Sequence, residues 1–112
     1  MRGEQYLTRR IQYTLVYDEG RSWVSSLVVM KALPNGLALS RYGLTVSRRV
    51  GNAVTRNRVK RWLREVLRLT PLEPGWDIVF IARPAAAATS YADVEQSVTG
   101  LLSQSGLIGQ RE

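Results

Sequence analysis

A chain of 112 residues with 45% hydrophobic composition is long enough to bury a core of its own and too short for two such units, so residues 1–112 are read as a single domain. It contains no cysteine and no histidine, which removes disulfides, thiolate chemistry, nearly all soft-metal ligation and the commonest acid–base group at neutral pH. Sixteen Lys and Arg against nine Asp and Glu give a net charge of +7, and all the cations but Lys31 and Lys60 are arginine, whose planar fork of donors suits phosphate oxygens.

The opening run Met1-Arg2-Gly3-Glu4-Gln5 leads into polar and charged positions rather than an apolar stretch of signal-peptide length. No segment approaches the roughly 18 apolar residues of a membrane span. The expectation is a soluble, cytoplasmic protein with no membrane partner. A first helix is predicted from about Arg9 to Asp18, with Thr8 as N-cap and Gly20 past its end. Leu7, Ile11 and Leu15 recur at spacing four along one side, Tyr13 and Tyr17 along another. The helix thus shows two apolar surfaces, of which one can be spare.

From Ser22 to Ala32 the chain is rich in strand formers, and Pro34-Asn35-Gly36 supplies turn chemistry. A hairpin is expected there, with the return strand beginning near Leu37 or Arg41. Arg41 to Ser47 alternates well enough to be a strand, placing Tyr42, Leu44 and Val46 on one face.

A strongly cationic helix follows. Asn52 is a plausible N-cap, Gly51 lets the loop turn sharply, and Pro71 stops the helix. Val59, Trp62, Leu63, Val66, Leu67 and Leu69 gather on one side, and Lys60, Arg64 and Arg68 line another with Arg61 beside them. Between Arg41 and Arg68 stand nine cations and one acid, Glu65. The rest of the chain sums to slightly negative, so the positive charge belongs to one place. Repulsion between like charges at spacing three and four makes sense if a polyanion relieves it; the competing reading is a solvated helix face.

Trp76 to Ala82 is nearly continuous in apolar residues, as in a central strand covered on both faces. Arg83-Pro84 closes it and the alanines form a connection. Ser90 with Asp93 opens a last helix to about Ser105, with Tyr91, Val94, Val98, Leu101 and Leu102 facing the core and Gly106 ending it. The order αββαβα, or αβββαβα if Leu37 to Ser40 pairs separately, argues for an α/β sandwich, an α+β fold on a small mixed sheet.

The nine acids offer no obvious converging set for a two-metal site, and neither lysine stands in a serine–lysine context. Gly51-Asn52-Ala53 lacks the glycine spacing of a nucleotide loop. No catalytic or metal-binding residue is therefore assigned, and no cofactor is expected on this chain. Tyr13, Tyr17 and Trp23 admit two readings, core aromatics or stacking surfaces for unpaired bases. Arg48, Arg49 and Arg83, past strand ends, either guide nucleic acid or are plain surface.

The block Arg41-Tyr42-Gly43-Leu44-Thr45-Val46-Ser47-Arg48-Arg49-Val50-Gly51-Asn52-Ala53-Val54-Thr55-Arg56-Asn57-Arg58-Val59-Lys60-Arg61 resembles the signature of the bacterial ribonuclease P protein subunit. The likeness extends through Asp77 to Pro84 and Ser90-Tyr91, and more faintly back to Tyr13, Val16, Tyr17 and Gly20-Arg21-Ser22. It implies an αβββαβα fold with a left-handed crossover between parallel strands, against the usual hand. It also implies partnership with a catalytic RNA, which with its own Mg2+ ions removes the 5′ leader of precursor tRNA. By position, Arg56, Asn57, Arg58, Lys60, Arg61, Arg64 and Arg68 would face that RNA, and Tyr13, Tyr17, Lys31, Arg48, Arg49 and Arg83 the leader. No obligate protein partner is evident. Ser25, Ser26, Lys31, Ile11 and Leu15 depart from the family pattern. Two alternatives stand beside this reading: a general RNA-binding or ribosome-associated protein of similar fold, and a stand-alone endonuclease using carboxylates such as Asp77 or Glu65.

Overall fold

The segment richest in apolar residues takes the centre of the sheet. In the computed structural model, which describes residues 6–109, the elements are α1 (Arg10–Glu19), β1 (Arg21–Val24), β2 (Val28–Pro34), β3 (Arg41–Thr45), α2 (Ala53–Leu69), β4 (Trp76–Ala82) and α3 (Tyr91–Ser105). The polar run 1–5 discussed above lies outside the described residues. Strand order is β1-β2-β4-β3. β4 is antiparallel to β2 and parallel to β3, so the sheet is mixed and the order αβββαβα stands.

Period-two alternation divides β4 between two cores. Ile78, Phe80 and Ala82 join the large core with Val59, Leu63 and Val66 of α2 and Val94, Val98 and Leu102 of α3. Val79 joins Leu7 and Val16 on the opposite face, with Tyr13, Tyr17 and Ile81 packed around them. Each fully buried Val, Leu, Ile or Phe side chain among them contributes about 1.5–3 kcal/mol. The two layers of helices hold the sheet between them, but unequally. Two helices cover one face, while α1 alone partly covers the other.

Several expectations are corrected. The hairpin turn is not at Pro34-Asn35-Gly36 but at Ser25-Ser26-Leu27, which splits the apolar run Ser22–Ala32 into β1 and β2. The Ser25 hydroxyl accepts from the Val28 N–H at 3.1 Å and donates to its carbonyl at 3.0 Å, a side-chain turn that lacks the usual Gly or Pro marker. The third strand therefore arises from this split, and Leu37–Ser40 forms no strand. Asn35 and Gly36 instead carry the chain past the end of β4, which lies between β2 and β3. Gly36 adopts φ of +71°, and the Asn35 side chain accepts from the Leu37 N–H at 2.8 Å.

α1 is turned differently from its simplest pattern. Val16 is fully buried, and Ile11 and Leu15 are 59% and 47% exposed, so the spacing-four stripe of Ile11 and Leu15 is the spare one. Its N-cap is Arg9 rather than Thr8; the Gln12 side chain accepts from the Thr8 and Arg9 N–H groups at 2.8 and 3.0 Å, occupying donors that a helix start leaves open. In α2, Leu69 is half exposed rather than in the core. The alanines wind into a 3-10 turn over Pro84–Ala88 with Ala86 buried. Asn52 caps α2, accepting from the Thr55 N–H at 2.9 Å, and Gly106 ends α3 in the left-handed region at φ of +80°.

Candidate nucleic-acid interface

α2 owes its position to what it buries. Val59, Leu63 and Val66 are within 1% of full burial, and at 3.6 residues per turn the opposite side consists of Asn57, Arg61, Arg64 and Arg68, all exposed. Lys60 lies at the edge of this face, half-buried. The side chains of Lys60, Arg61 and Arg64 form no hydrogen bond or ion pair within the described residues. Arg68 pairs with Glu65 at 2.7 Å, which holds the Glu65 carboxyl below its usual range; both side chains are open to solvent, and such a pair is weak. The cationic face is therefore not neutralised from within.

Two arginines of the same sequence block are differently placed. Arg56 donates from Nε to the Gly51 carbonyl at 3.1 Å, bracing the loop that enters the helix. Arg58 turns sideways: its guanidinium lies 5.4 Å from the Trp62 ring centroid and donates to the Ala87 carbonyl at 3.0 Å. Its Nε is buried without a partner. Arg58 thus links α2 to the 3-10 turn, in keeping with its place at the first turn beside Asn57, from which it reaches sideways rather than along the helix. Arg48 and Arg49 follow β3 in a tight turn, closed by the Val50 N–H donating to Ser47 and the Gly51 N–H to Arg48. Burial of Val50 leaves both arginine side chains outside.

The second surface lies where α1 stops short of covering the sheet. Tyr13 packs its hydroxyl end onto Gly43, where no Cβ stands in the way. Burial, then the nearby Tyr17, raise its phenol above the usual value, against a bond to the Leu44 backbone. Tyr17 bonds Thr45 Oγ1 at 2.7 Å, and the two tyrosine rings sit 6.5 Å apart, centroid to centroid. Lys31 donates from Nζ to the Tyr17 carbonyl at 3.1 Å, a cation on the last turn of α1, where it complements the helix dipole.

Beyond Tyr17 the sheet lies open. The register places Val24, Val29, Ile81 and Thr45 side by side across four strands on this face, and Val24 is 60% exposed. β3 and β4 run parallel, so Arg48 and Arg49 past one and Arg83 past the other stand at the same end of the sheet. Arg83 donates to the Ser25 carbonyl at 2.8 Å. Of the leader candidates, Tyr17 thus borders the open sheet with Arg48, Arg49 and Arg83 past its strand ends, while Lys31 sits on the last turn of α1 and Tyr13 packs on Gly43. Trp23 is not among them; it packs toward the large core on the other face, under the Arg21 guanidinium. Sequence reading missed the cleft floor, because Val24, Val29 and Ile81 look like any core strand residue until the sheet's cover is known.

The one buried carboxylate among the described residues is engaged elsewhere. Asp77, 7% exposed, accepts from Arg41 Nε and Nη2 at 2.8 and 2.7 Å and from Asn35 Nδ2 at 2.9 Å. Among the described residues no three acids come together as a metal site would require.

A mixed four-stranded sheet with one open face, entered by a helix whose outer side is cationic, defines an α+β protein of the polyanion-binding class. The chain belongs to the family of ribonuclease P protein components, subunits of an endoribonuclease of tRNA processing: residues 1–106 match the family model described as Ribonuclease P. The ribonuclease P protein component of Dehalococcoides mccartyi is 49% identical, over 98% of this chain and 92% of its own; that of Roseiflexus castenholzii is 41% identical, over 87% and 82%. Among solved structures, a mutant ribonuclease P protein from Staphylococcus aureus superposes with a TM-score of 0.90 at 26% identity, over 96% of this chain and 93% of its own. The protein from Thermotoga maritima gives 0.78 at 32%, over 88% and 96%.

Proposed function

We propose that the outer face of α2 binds the catalytic RNA subunit of ribonuclease P, and that the cleft between α1 and the open sheet holds the 5′ leader of precursor tRNA. The observation that carries this reading is the outward placement of Arg61 and Arg64, with Lys60 at their edge, none with an ion pair of its own. Phosphate contacts from this face set affinity and register. Tyr17, the apolar sheet floor and the rim arginines offer stacking and charge to a single strand. Asn57, Arg61, Arg64 and Arg68 form the main RNA-facing row, with Lys60 at its edge and Arg56 and Arg58 shaping the loop and the flank. The setting is the cytoplasm.

Hydrolysis then belongs to the RNA and the Mg2+ ions it binds, and the chain assists by neutralising two polyanions brought together. The engagement of Asp77 with Arg41 and Asn35, and of Glu65 with Arg68, favours this over a stand-alone nuclease. The purified protein added to a bacterial ribonuclease P RNA at limiting magnesium should raise precursor cleavage. RNA binding without any gain would favour the general RNA-binding alternative. Cleavage by protein alone, abolished in Asp77→Asn or Glu65→Gln, would favour the nuclease.

A further inference from the structure

A second hollow lies away from the leader cleft, on the outer side of edge strand β3. Its volume is about 1070 Å³, just above the range for bound small molecules, ~300–1,000 Å³. One wall is the C-terminal half of α2, presenting Arg61, Arg64 and Arg68; the other is made by the segments 38–40 and 70–74, with Leu39, Leu72 and Pro74. Tyr6 stands at the N-terminal end, its ring 5.0 Å from that of Tyr42 and tilted edge to face at 63°. Tyr6 is 38% exposed, Tyr42 buried beneath it.

The walls are braced before anything binds. Ser40 Oγ accepts from the Trp76 N–H at 2.9 Å and donates to the Glu73 carbonyl. The Glu73 N–H donates to Leu107 at 2.8 Å and the Gly109 N–H to Pro71 at 2.7 Å. The Leu7 N–H donates to the Tyr42 carbonyl at 2.9 Å, which fixes the backbone beside Tyr6 against the edge of β3. Such preorganisation lowers the ordering cost of binding.

The hollow combines three arginines, one acid already engaged by Arg68, an aromatic face and an apolar wall. The phosphates of a duplex surface would use only the arginines. An unpaired nucleotide uses the rest as well, because its base has a free face to stack and its phosphate reaches the cations. We infer that this hollow receives one unpaired nucleotide of the catalytic RNA, base against Tyr6 and the Leu39–Leu72 wall, phosphate between Arg61 and Arg64. The inference rests on the proposal that α2 faces that RNA, and it adds a base-holding pocket to a phosphate-binding face.

The test is equilibrium binding of a bacterial ribonuclease P RNA to the full chain across a salt series, with nucleotide-resolution chemical probing. Tyr6→Ala should weaken binding roughly tenfold, about one stacked base, at an unchanged salt slope, while Tyr6→Phe retains affinity. Ala38→Trp, a substitution at an exposed position on the hollow's rim, should fill it, weaken binding similarly and restore reactivity at one protected unpaired nucleotide. Arg61→Ala separates the two levels of argument. If it weakens binding while Tyr6→Ala and Ala38→Trp bind like the parent, the pocket is overturned and the RNA-binding face stands. If all three bind like the parent, both readings fall. Equal loss in Tyr6→Phe and Tyr6→Ala would overturn stacking as the source of affinity.

Discussion

Arg58 shows how far a residue's neighbourhood can depart from its place in a motif. In sequence it is one of a run of cations; in space its guanidinium lies against Trp62 and donates to Ala87. Arg58→Ala should therefore cost stability, about 1–2 kcal/mol from a hydrogen bond and a cation–π contact together, read as a lower Tm. It should leave the salt slope of RNA binding unaltered; a reduced slope would make Arg58 a phosphate contact instead. Arg58→Lys should recover little, because an ammonium lacks the planar fork. Tyr42 allows a second prediction. Burial and the Tyr6 side chain push its phenol well above the ordinary 10.0, with Arg64 pulling the other way. The unfolded chain releases this proton near pH 10 and the folded chain holds it. The stabilisation is thus complete below pH 10 and is lost progressively as pH rises toward the folded value. Tyr42→Phe should flatten the fall in Tm above pH 10, and an unchanged alkaline slope would count against the shift.

At the scale of elements, α2 was legible because its signals agree: an Asn cap, a buried stripe and a terminating proline all point one way. α1 was less so. Its two apolar stripes are equally regular, and only the sheet beneath decides that Val16 goes in while Ile11 and Leu15 stay out. That choice turns Tyr13 down onto Gly43 and brings Tyr17 to the edge of the open sheet. Tyr17→Ala should accordingly reduce affinity for precursor more than for mature tRNA, by about 1–3 kcal/mol per stacked base, in parallel binding titrations. Equal losses for both ligands would make Tyr17 a packing residue. The strands taught a similar lesson. The turn at Ser25-Ser26-Leu27 was invisible because the Ser25 hydroxyl closes it rather than Gly or Pro, and the strong turn signal at Asn35-Gly36 serves a crossing, not a hairpin.

At the scale of the whole molecule, the charge map gives the sharpest expectation. Arg61 and Arg64 point outward with no ion pair in the described chain, so replacing both with alanine should lower the slope of log affinity against log salt by roughly 1.4–1.8, at 0.7–0.9 per lost phosphate contact. Binding measured from low to moderate salt decides it, and an unchanged slope would move the RNA contact elsewhere.

The sequence by itself determined the family, the cationic helix, the central strand and the lack of histidine and cysteine chemistry, because residue type and helical or strand period are local properties. Tertiary structure decided which cations remain available, where β3 pairs, and which face of the sheet stays uncovered. Those depend on what each side chain meets across the fold. Spacing along a chain tells which residues share a side of an element, but not what stands opposite that side.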